Sequence, residues 1–313
     1  MSEIGRMSFP RLRIGTRGSP LALAQSHQVR AKLAQAHRVS EEAISVCVIR
    51  TSGDAIQDRP LSEAGGKGLF TKELDLALLN DEIDLAVHSG KDIPTSIPDD
   101  LLISGFLERE DVRDCFVSSI AKSLEELPRG ARVGTASLRR AAQVKRLRGD
   151  LLTPLLRGNV ETRLRKAQAG EVDATLLALA GLKRLGLAEK ATAILSTRDF
   201  LPAPGQGAIG LMIRTADECT RDCIAPILHE PTSLAVAAER AFLAALDGSC
   251  RTSIACLAEI ANGQLSLRGM VLRPDGSEVF EMQRSGAAAD AVAIGDSAGR
   301  ELLARLPAGV LAA

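Results

Sequence analysis

The stretch Val133-Gly134-Thr135-Ala136-Ser137-Leu138-Arg139-Arg140 is a strand signal that runs through a small polar turn straight into a helix signal. That order puts the turn at the carboxyl end of a strand, which is how an α/β sheet is built. The helix opens with two arginines. A helix N-terminus carries unpaired backbone N–H groups and partial positive charge, so hydroxyls and guanidinium forks there form a receptor for carboxylates or phosphates. Leu156-Arg157-Gly158-Asn159-Val160-Glu161-Thr162-Arg163-Leu164-Arg165 repeats the plan. Lysine plus arginine equals aspartate plus glutamate, at 39 each, over the 313 residues. So much local cation in a chain without net charge points to a ligand carrying several anions, and gives no global field toward nucleic acid or membranes.

Strand-like and helix-like segments alternate along most of the chain. Strands are expected at 11–15, 44–49, 83–87, 115–117, 132–134 and 174–179, and helices at 20–37, 69–79, 137–148 and 159–169. Ser19 is a plausible N-cap for the first helix, with Pro20 in its first turn. This pattern predicts two open α/β lobes with crossover helices. The segment 201–210, dense in Pro and Gly, reads as a crossing between lobes that also lines a site. Beyond about residue 225 the texture changes. A helix at 232–246, strands at 254–260, 264–272 and 278–283 around a Pro-Asp-Gly turn, and a final helix at 287–305 predict a small α+β domain. The expected division is 11–107 with 208–225, then 108–207, then 226–313.

With 45% hydrophobic residues, the composition is that of a soluble globular protein. There is no Trp or Tyr and only seven Phe, so stacking platforms for single-stranded bases are scarce. Residues 1–10 lack an apolar core of the signal-peptide type, and the longest uncharged apolar run, 174–182, is far short of a bilayer span. The expected compartment is the cytoplasm, with the six cysteines reduced. No His and Cys spacing makes a metal site; none is expected.

Polar motifs follow the strands, where two facing lobes put their ligand. Arg17 and Ser19 follow the first. Val87-His88-Ser89-Gly90-Lys91-Asp92 ends another, and an isolated Lys-Asp there is ordinarily a solvated ion pair. At a cleft mouth the carboxylate of Asp92 can instead stabilise a developing cation or move protons, with Lys91 binding an anion. A typical cysteine is a small buried hydrophobe. Cys250, in Gly248-Ser249-Cys250-Arg251, is the best exception: it has space, and Arg251 favours its thiolate. Gly65-Gly66-Lys67-Gly68-Leu69-Phe70 lacks the Walker spacing and reads as a lid over the cleft. Gly181-Leu182-Lys183-Arg184 is a basic helix end from which Arg184 can reach the cleft.

Taken with Arg13-Ile14-Gly15-Thr16-Arg17-Gly18-Ser19-Pro20, Pro204-Gly205-Gln206-Gly207 and Ala238-Glu239-Arg240-Ala241, these motifs resemble the porphobilinogen deaminase family from about residue 13 to the last helix. The resemblance implies two lobes like those of periplasmic binding proteins and a third domain. That domain holds a dipyrromethane cofactor through a thioether to a cysteine, here Cys250. It implies that four porphobilinogens are joined head to tail into hydroxymethylbilane, each losing ammonia. Asp92 matches the catalytic aspartate. Ser89, Lys91, Thr135, Ser137, Arg139, Arg140, Arg157, Arg184 and Gln206 match cofactor-binding positions. Arg17, Ser19, Lys67, Phe70, Arg157 and Arg163 match substrate-binding ones. A monomer without nucleic-acid or membrane partners is expected. Gly90, Ala136 and Glu63 depart from the family's usual residues.

The chemistry agrees with the residues. Each porphobilinogen brings two carboxylates, so a growing chain needs many cations. Loss of ammonia leaves an electron-poor azafulvenium, which a carboxylate stabilises and a thiolate can capture. The competing reading is a two-lobed anion-binding or effector-sensing protein; it leaves Cys250 without a role.

Overall fold

The computed structural model describes residues 11–52, 71–248, 252–307 and 309–311. The first sheet is built from β1 (Leu12–Arg17), β2 (Ile44–Ile49), β3 (Leu85–Ser89), β4 (Leu101–Phe106) and β9 (Ile209–Arg214), in the order β2-β1-β3-β9-β4. β1 runs parallel to β2 and β3, while β9 lies antiparallel between β3 and β4. The second sheet has the order β6-β7-β5-β8, from β5 (Asp114–Ser118), β6 (Val133–Gly134), β7 (Ala174–Ala178) and β8 (Ala193–Ile194). The chain therefore leaves the first sheet after β4, builds the second, and returns as β9. Two segments outside the strands and helices cross between the lobes, at 107–113 and 201–208.

Local sequence accounts for the elements. Helix α1 (Pro20–His37) begins where Ser19 Oγ accepts from the Ala22 backbone N–H at 3.3 Å, and ends at Arg38 in the left-handed conformation. Leu12, Ile14 and Thr16 alternate toward α1, and Leu12 and Ile14 meet Val29 and Leu33 in one apolar cluster. On the opposite face, α2 (Lys72–Leu79) supplies Leu74 and Leu78. Helices α3 (Leu138–Leu147) and α4 (Val160–Gln168) are capped by Ser137 and Asn159 side chains. The short α5 (Leu179–Arg184) follows β7 directly, and α6 (Glu218–Ile224) follows β9.

The last unit is an antiparallel sheet of β10 (Ile254–Ala261), β11 (Gln264–Leu272) and β12 (Val279–Ala287) with α7 (Glu230–Ala245) and α8 (Ala291–Arg305). Period-two alternation splits its strands between two partners. Cys256, Ala258, Leu267 and Val271 face Phe242, Ile294 and Leu302 of the helices. Ala255, Leu257, Met270 and Leu272 face Ala142 and Leu201 of the second lobe.

The two α/β lobes and the α+β unit follow the expected plan. Several expectations are corrected. Both α/β sheets are mixed, and β4, β8 and β9 stand where no strand was expected. β12 extends to Ala287, which delays the last helix to Ala291. α7 starts at Glu230, because Pro231 sits in its first turn and the His229 ring accepts from the Thr232 N–H. The part of the expected 69–79 helix before residue 71 lies outside the described residues. Among the described residues, no helix is long and apolar enough to cross a membrane.

One buried carboxylate ties the units together. Glu239 of α7 is fully buried and receives both Nη groups of Arg109, at 2.7 and 2.9 Å. It also accepts from the backbone N–H of Gly205 at 2.6 Å and of Ala258 at 2.8 Å. Arg109 Nε donates to Gln206 O at 2.9 Å. Both lobe crossings and two elements of the last unit thus meet at a single side chain. Breaking such a pair strands a buried charge. Glu239→Ala is expected to cost about 3–5 kcal/mol, read as a lower urea midpoint by circular dichroism.

β3 carries a second buried polar group. His88 is 4% exposed, and its Nε2 has no hydrogen-bond partner among the described residues. Burial, reinforced by nearby Arg17, pushes its pKa down from 6.5 to about 4. The unfolded chain therefore binds more protons than the native one between those values, so His88 costs stability as pH falls from about 6.5 toward 4. His88→Gln is expected to flatten the pH dependence of the urea midpoint in that window, and an unchanged slope would contradict it.

Candidate active site

β3 ends at Ser89, and a 3-10 turn over Gly90–Asp92 delivers Lys91 and Asp92 to the space between the lobes. The turn is held from two sides. Gly90 N–H donates to Ala208 O at 2.8 Å. Arg240 of α7 donates to the carbonyls of Ile93 and Pro94, at 3.1 and 2.7 Å, just past Asp92. The returning crossing passes so close that a Cβ on Gly90 would meet Gly205 O at 2.8 Å. Gly205 itself has φ of +73° and Gly207 of +85°, a conformation glycine tolerates best. The departure at Gly90 therefore has a local reason in this chain: glycine faces glycine where two segments touch.

Two cavities meet at Asp92. A small one of about 60 Å³ is bounded by Arg17, Ser19, Gln25, Ser89 and Asp92. A larger one of about 200 Å³ takes Lys91, Asp92, Ser137, Arg139, Arg140, Arg163 and Gln206. Leu243, Thr252 and Ile254 line the larger cavity too. They flank the loop that carries Cys250, which itself lies outside the described residues, as do Lys67 and Phe70.

The cations of the larger cavity crowd one another. Arg139 and Arg140 are each 4% exposed, and both reach the fully buried Asp114 at 2.7 Å. Their other Nη groups donate to backbone carbonyls, Arg139 to Leu201 O at 2.7 Å and Arg140 to Leu176 O at 3.0 Å. The Nε of each has no partner among the described residues. Burial, then Arg140 and Arg157, push Arg163 down to about 10. Burial and Arg140 push Lys91 down to about 8, against Asp92 and Asp114, which raise it. Burial lowers Arg139 as well. Cations driven toward their neutral forms, with guanidinium donors left over, fit a ligand that brings carboxylates. A dipyrromethane with its acetate and propionate groups is such a ligand.

Not every expected residue reaches a cavity. Thr135 Oγ1 accepts from the Ser137 N–H at 3.1 Å and shapes the turn before α3. Arg184 donates to Gly207 O at 2.8 Å and clamps the crossing rather than lining the cleft. Arg157 is half-buried and borders neither cavity. Ser137 caps α3, accepting from the Arg140 N–H at 3.4 Å, and still lines the larger cavity. Lys91 and Asp92 are partly buried groups of the cleft, not a solvated surface pair.

Sequence reasoning passed over Gln25, Asp114 and Arg240. Gln25 is buried and exchanges hydrogen bonds with Ser89, at 2.9 and 3.2 Å. Its signal was a polar residue in the stripe Ala22, Val29, Leu33 that faces the sheet. Asp114 heads a strand whose next three residues, Cys115, Phe116 and Val117, are apolar, and a carboxylate there needs partners. Arg240 stood within a quoted motif, but only the packing of α7 reveals its carbonyl partners. Among the described residues, no group of three or more His, Cys, Asp or Glu is placed to hold a metal.

Known proteins resemble the chain that carries this site. Residues 12–222 match the family model described as porphobilinogen deaminase, dipyromethane cofactor binding domain, and residues 233–304 match the porphobilinogen deaminase C-terminal domain. A porphobilinogen deaminase from Nitrobacter winogradskyi is 58% identical over 292 residues, covering 93% of this chain and 92% of that one. One from Nitrobacter hamburgensis is 57% identical over the same length and shares. Among solved structures, a periplasmic substrate-binding protein from Coxiella burnetii aligns at 14% identity with a TM-score of 0.41, over 73% of this chain and 96% of that chain. By its sequence over nearly its whole length, the chain belongs to the porphobilinogen deaminase family.

Proposed function

We infer that the chain joins porphobilinogen units head to tail into hydroxymethylbilane, releasing ammonia, with Asp92 as the carboxylate at the reacting centre. The observation that carries this reading is Asp92 itself, shared by a small polar cavity and a larger basic one. A carboxylate so placed touches the aminomethyl end of an incoming substrate and the end of the growing chain at once. As ammonia departs, positive charge develops on the substrate pyrrole, and a fixed anion stabilises it without reorganising. Asp92 can also accept the pyrrole N–H and take part in proton transfers.

The resident dipyrromethane supplies the terminal pyrrole carbon onto which the chain is extended. Lys91, Ser137, Arg139 and Arg140 are proposed to hold its carboxylates, with Gln206 binding the cofactor from the wall of the same cavity and Cys250 as the attachment residue. Thr135, Arg157 and Arg184 act, on this reading, through the shape and charge of the cleft wall. Arg17, Ser19, Ser89 and Arg163 are proposed for the incoming substrate, and Lys67 and Phe70 for covering it. Arg163 already sits among cations, so each carboxylate that enters relieves repulsion. We propose units at 11–107 with 208–225, 108–207 and 226–313; strand membership of the three sheets supports the first division, and the start of the second family-model span at residue 233 supports the last. We further propose a cytoplasmic monomer whose partner is porphobilinogen, with neither nucleic acid nor a membrane surface involved. The balanced charge supports this, because it provides no field for either.

Asp92→Asn is expected to lower the rate of hydroxymethylbilane formation at least about 100-fold while leaving the circular dichroism spectrum unchanged. Wild-type turnover in that variant would exclude the role. Cys250→Ser is expected to give an intact mass without the dipyrromethane adduct and no colour with Ehrlich's reagent. A persisting adduct would move the attachment elsewhere.

A further inference from the structure

Asp114 matches no motif of the cleft, yet it bonds three residues that line the larger cavity. It is fully buried at the head of β5. Oδ2 accepts from Arg139 Nη2 at 2.7 Å, and Oδ1 accepts from Arg140 Nη2 at 2.7 Å. Oδ1 also accepts from Gln206 Nε2 at 2.9 Å. The two arginines belong to α3 in the second lobe, and Gln206 belongs to the crossing that returns to the first. All three line the larger cavity beside Asp92.

We propose that Asp114 is a positioning residue of the cofactor cradle: it pins Arg139 and Arg140 directly, and Lys91 through Gln206, so that their remaining donors face the carboxylates of the bound oligopyrrole. The inference rests on the function proposed above and deepens it. Its geometry has two branches. Each guanidinium is held at Nη2 by Asp114 and at Nη1 by a backbone carbonyl, which fixes its plane and leaves further donors for the ligand. The Gln206 amide is fixed as well. With Nε2 donating to Asp114 and to Val112 O at 2.8 Å, Oε1 must point the other way, and there it accepts from Lys91 Nζ at 3.5 Å. Lys91 is therefore oriented by a carboxylate it does not touch, through one intervening amide.

The charge balance gives Asp114 a second effect. Arg139 and Arg140 of α3, Asp92 next in the chain, and Asp114 on β5 all act on Lys91, and Arg163 of α4 lines the same cavity. Burial alone would push Asp114 up, but Arg139 and Arg140 hold it far below the usual carboxylate range, so it is ionised at every working pH. Its charge offsets part of the repulsion between the two arginines and helps keep Lys91 protonated. A neutral residue of the same shape would keep the packing and lose both effects.

The test is Asp114→Asn in the full chain, beside wild type. Three readouts are expected to move. The fraction of purified protein carrying the dipyrromethane adduct by intact mass falls at least about twofold. KM for porphobilinogen rises more than kcat falls. The alkaline limb of kcat/KM shifts to lower pH by about one unit, because Lys91 releases its proton sooner. A residue that only supported the fold would lower the melting temperature and leave that limb in place. Wild-type loading, KM and alkaline limb in a folded Asp114→Asn protein would overturn the proposal. Should that variant fail to fold, Gln206→Met cuts the link to Lys91 without removing a charge. The same direction of shift supports the proposal, and wild-type values overturn it. A wild-type protein with neither adduct nor turnover would instead refute the functional reading, which the mass spectrum distinguishes directly.

Discussion

The structure turns on the four hydrogen bonds that Glu239 accepts while fully buried. A carboxylate in that position is tolerable only because Arg109 neutralises it and two backbone N–H groups complete its shell. Those partners come from the outgoing crossing, the returning crossing and β10. The separation of the two lobes and the seat of the third unit are consequently set at one point. Arg240, one residue further along α7, grips the chain just after Asp92. The helix that organises the junction therefore also locates the proposed reacting carboxylate. Packing supplies the stability of each unit, and this knot supplies their mutual alignment.

Alignment matters because the cleft is electrostatically incomplete. Lys91, Arg139 and Arg163 are all displaced from their ordinary ionisation in the same direction, chiefly by burial and then by neighbouring cations, Arg140 in each case. Energy is stored in that arrangement. The tight Asp114 pairs reduce it for two of the arginines, and the remainder favours any ligand that delivers carboxylates into the cavity. A ligand lengthened by one pyrrole at a time brings such groups with each addition. The same imbalance that disfavours the empty cleft thus favours every stage of elongation. Surface arginines would not act this way, since water and salt would screen them.

Much of this was legible in the sequence. Ser19, Ser137 and Asn159 announced their helices because capping is a local interaction between a side chain and an N–H two or three residues on. The hairpin of β11 and β12 followed from its Pro-Asp-Gly turn for a similar reason. β9 was obscured by the Pro and Gly run before it, and both faces of Ile209–Ile213 are buried, so the strand carries no alternation to read. The site divided along the same line. Residues at strand ends were visible as motifs. Asp114, Gln25 and Glu239 acquire their meaning only from partners 19 to 130 positions away, such as Arg139 for Asp114 and Arg109 for Glu239. Thr135 and Arg184 were read as ligand groups because their types suit anions. Each also makes a hydrogen bond to the backbone, which residue type alone does not announce.

That division has a physical reading. A motif records which groups a site requires, whereas the groups that aim them are distant in sequence and chemically ordinary. Lys91 illustrates the point. Its neighbour Asp92 is adjacent in the chain, yet the acceptor that directs its ammonium is Gln206, itself oriented from Asp114. Two carboxylates therefore divide the labour around one cation. The nearer faces both cavities and remains open to substrate, and the farther is sealed behind two arginines and stays charged. Burying the second is what leaves the first available: with Asp114 holding Arg139 and Arg140, the Asp92 carboxylate is not drawn into those pairs and can face a developing positive charge.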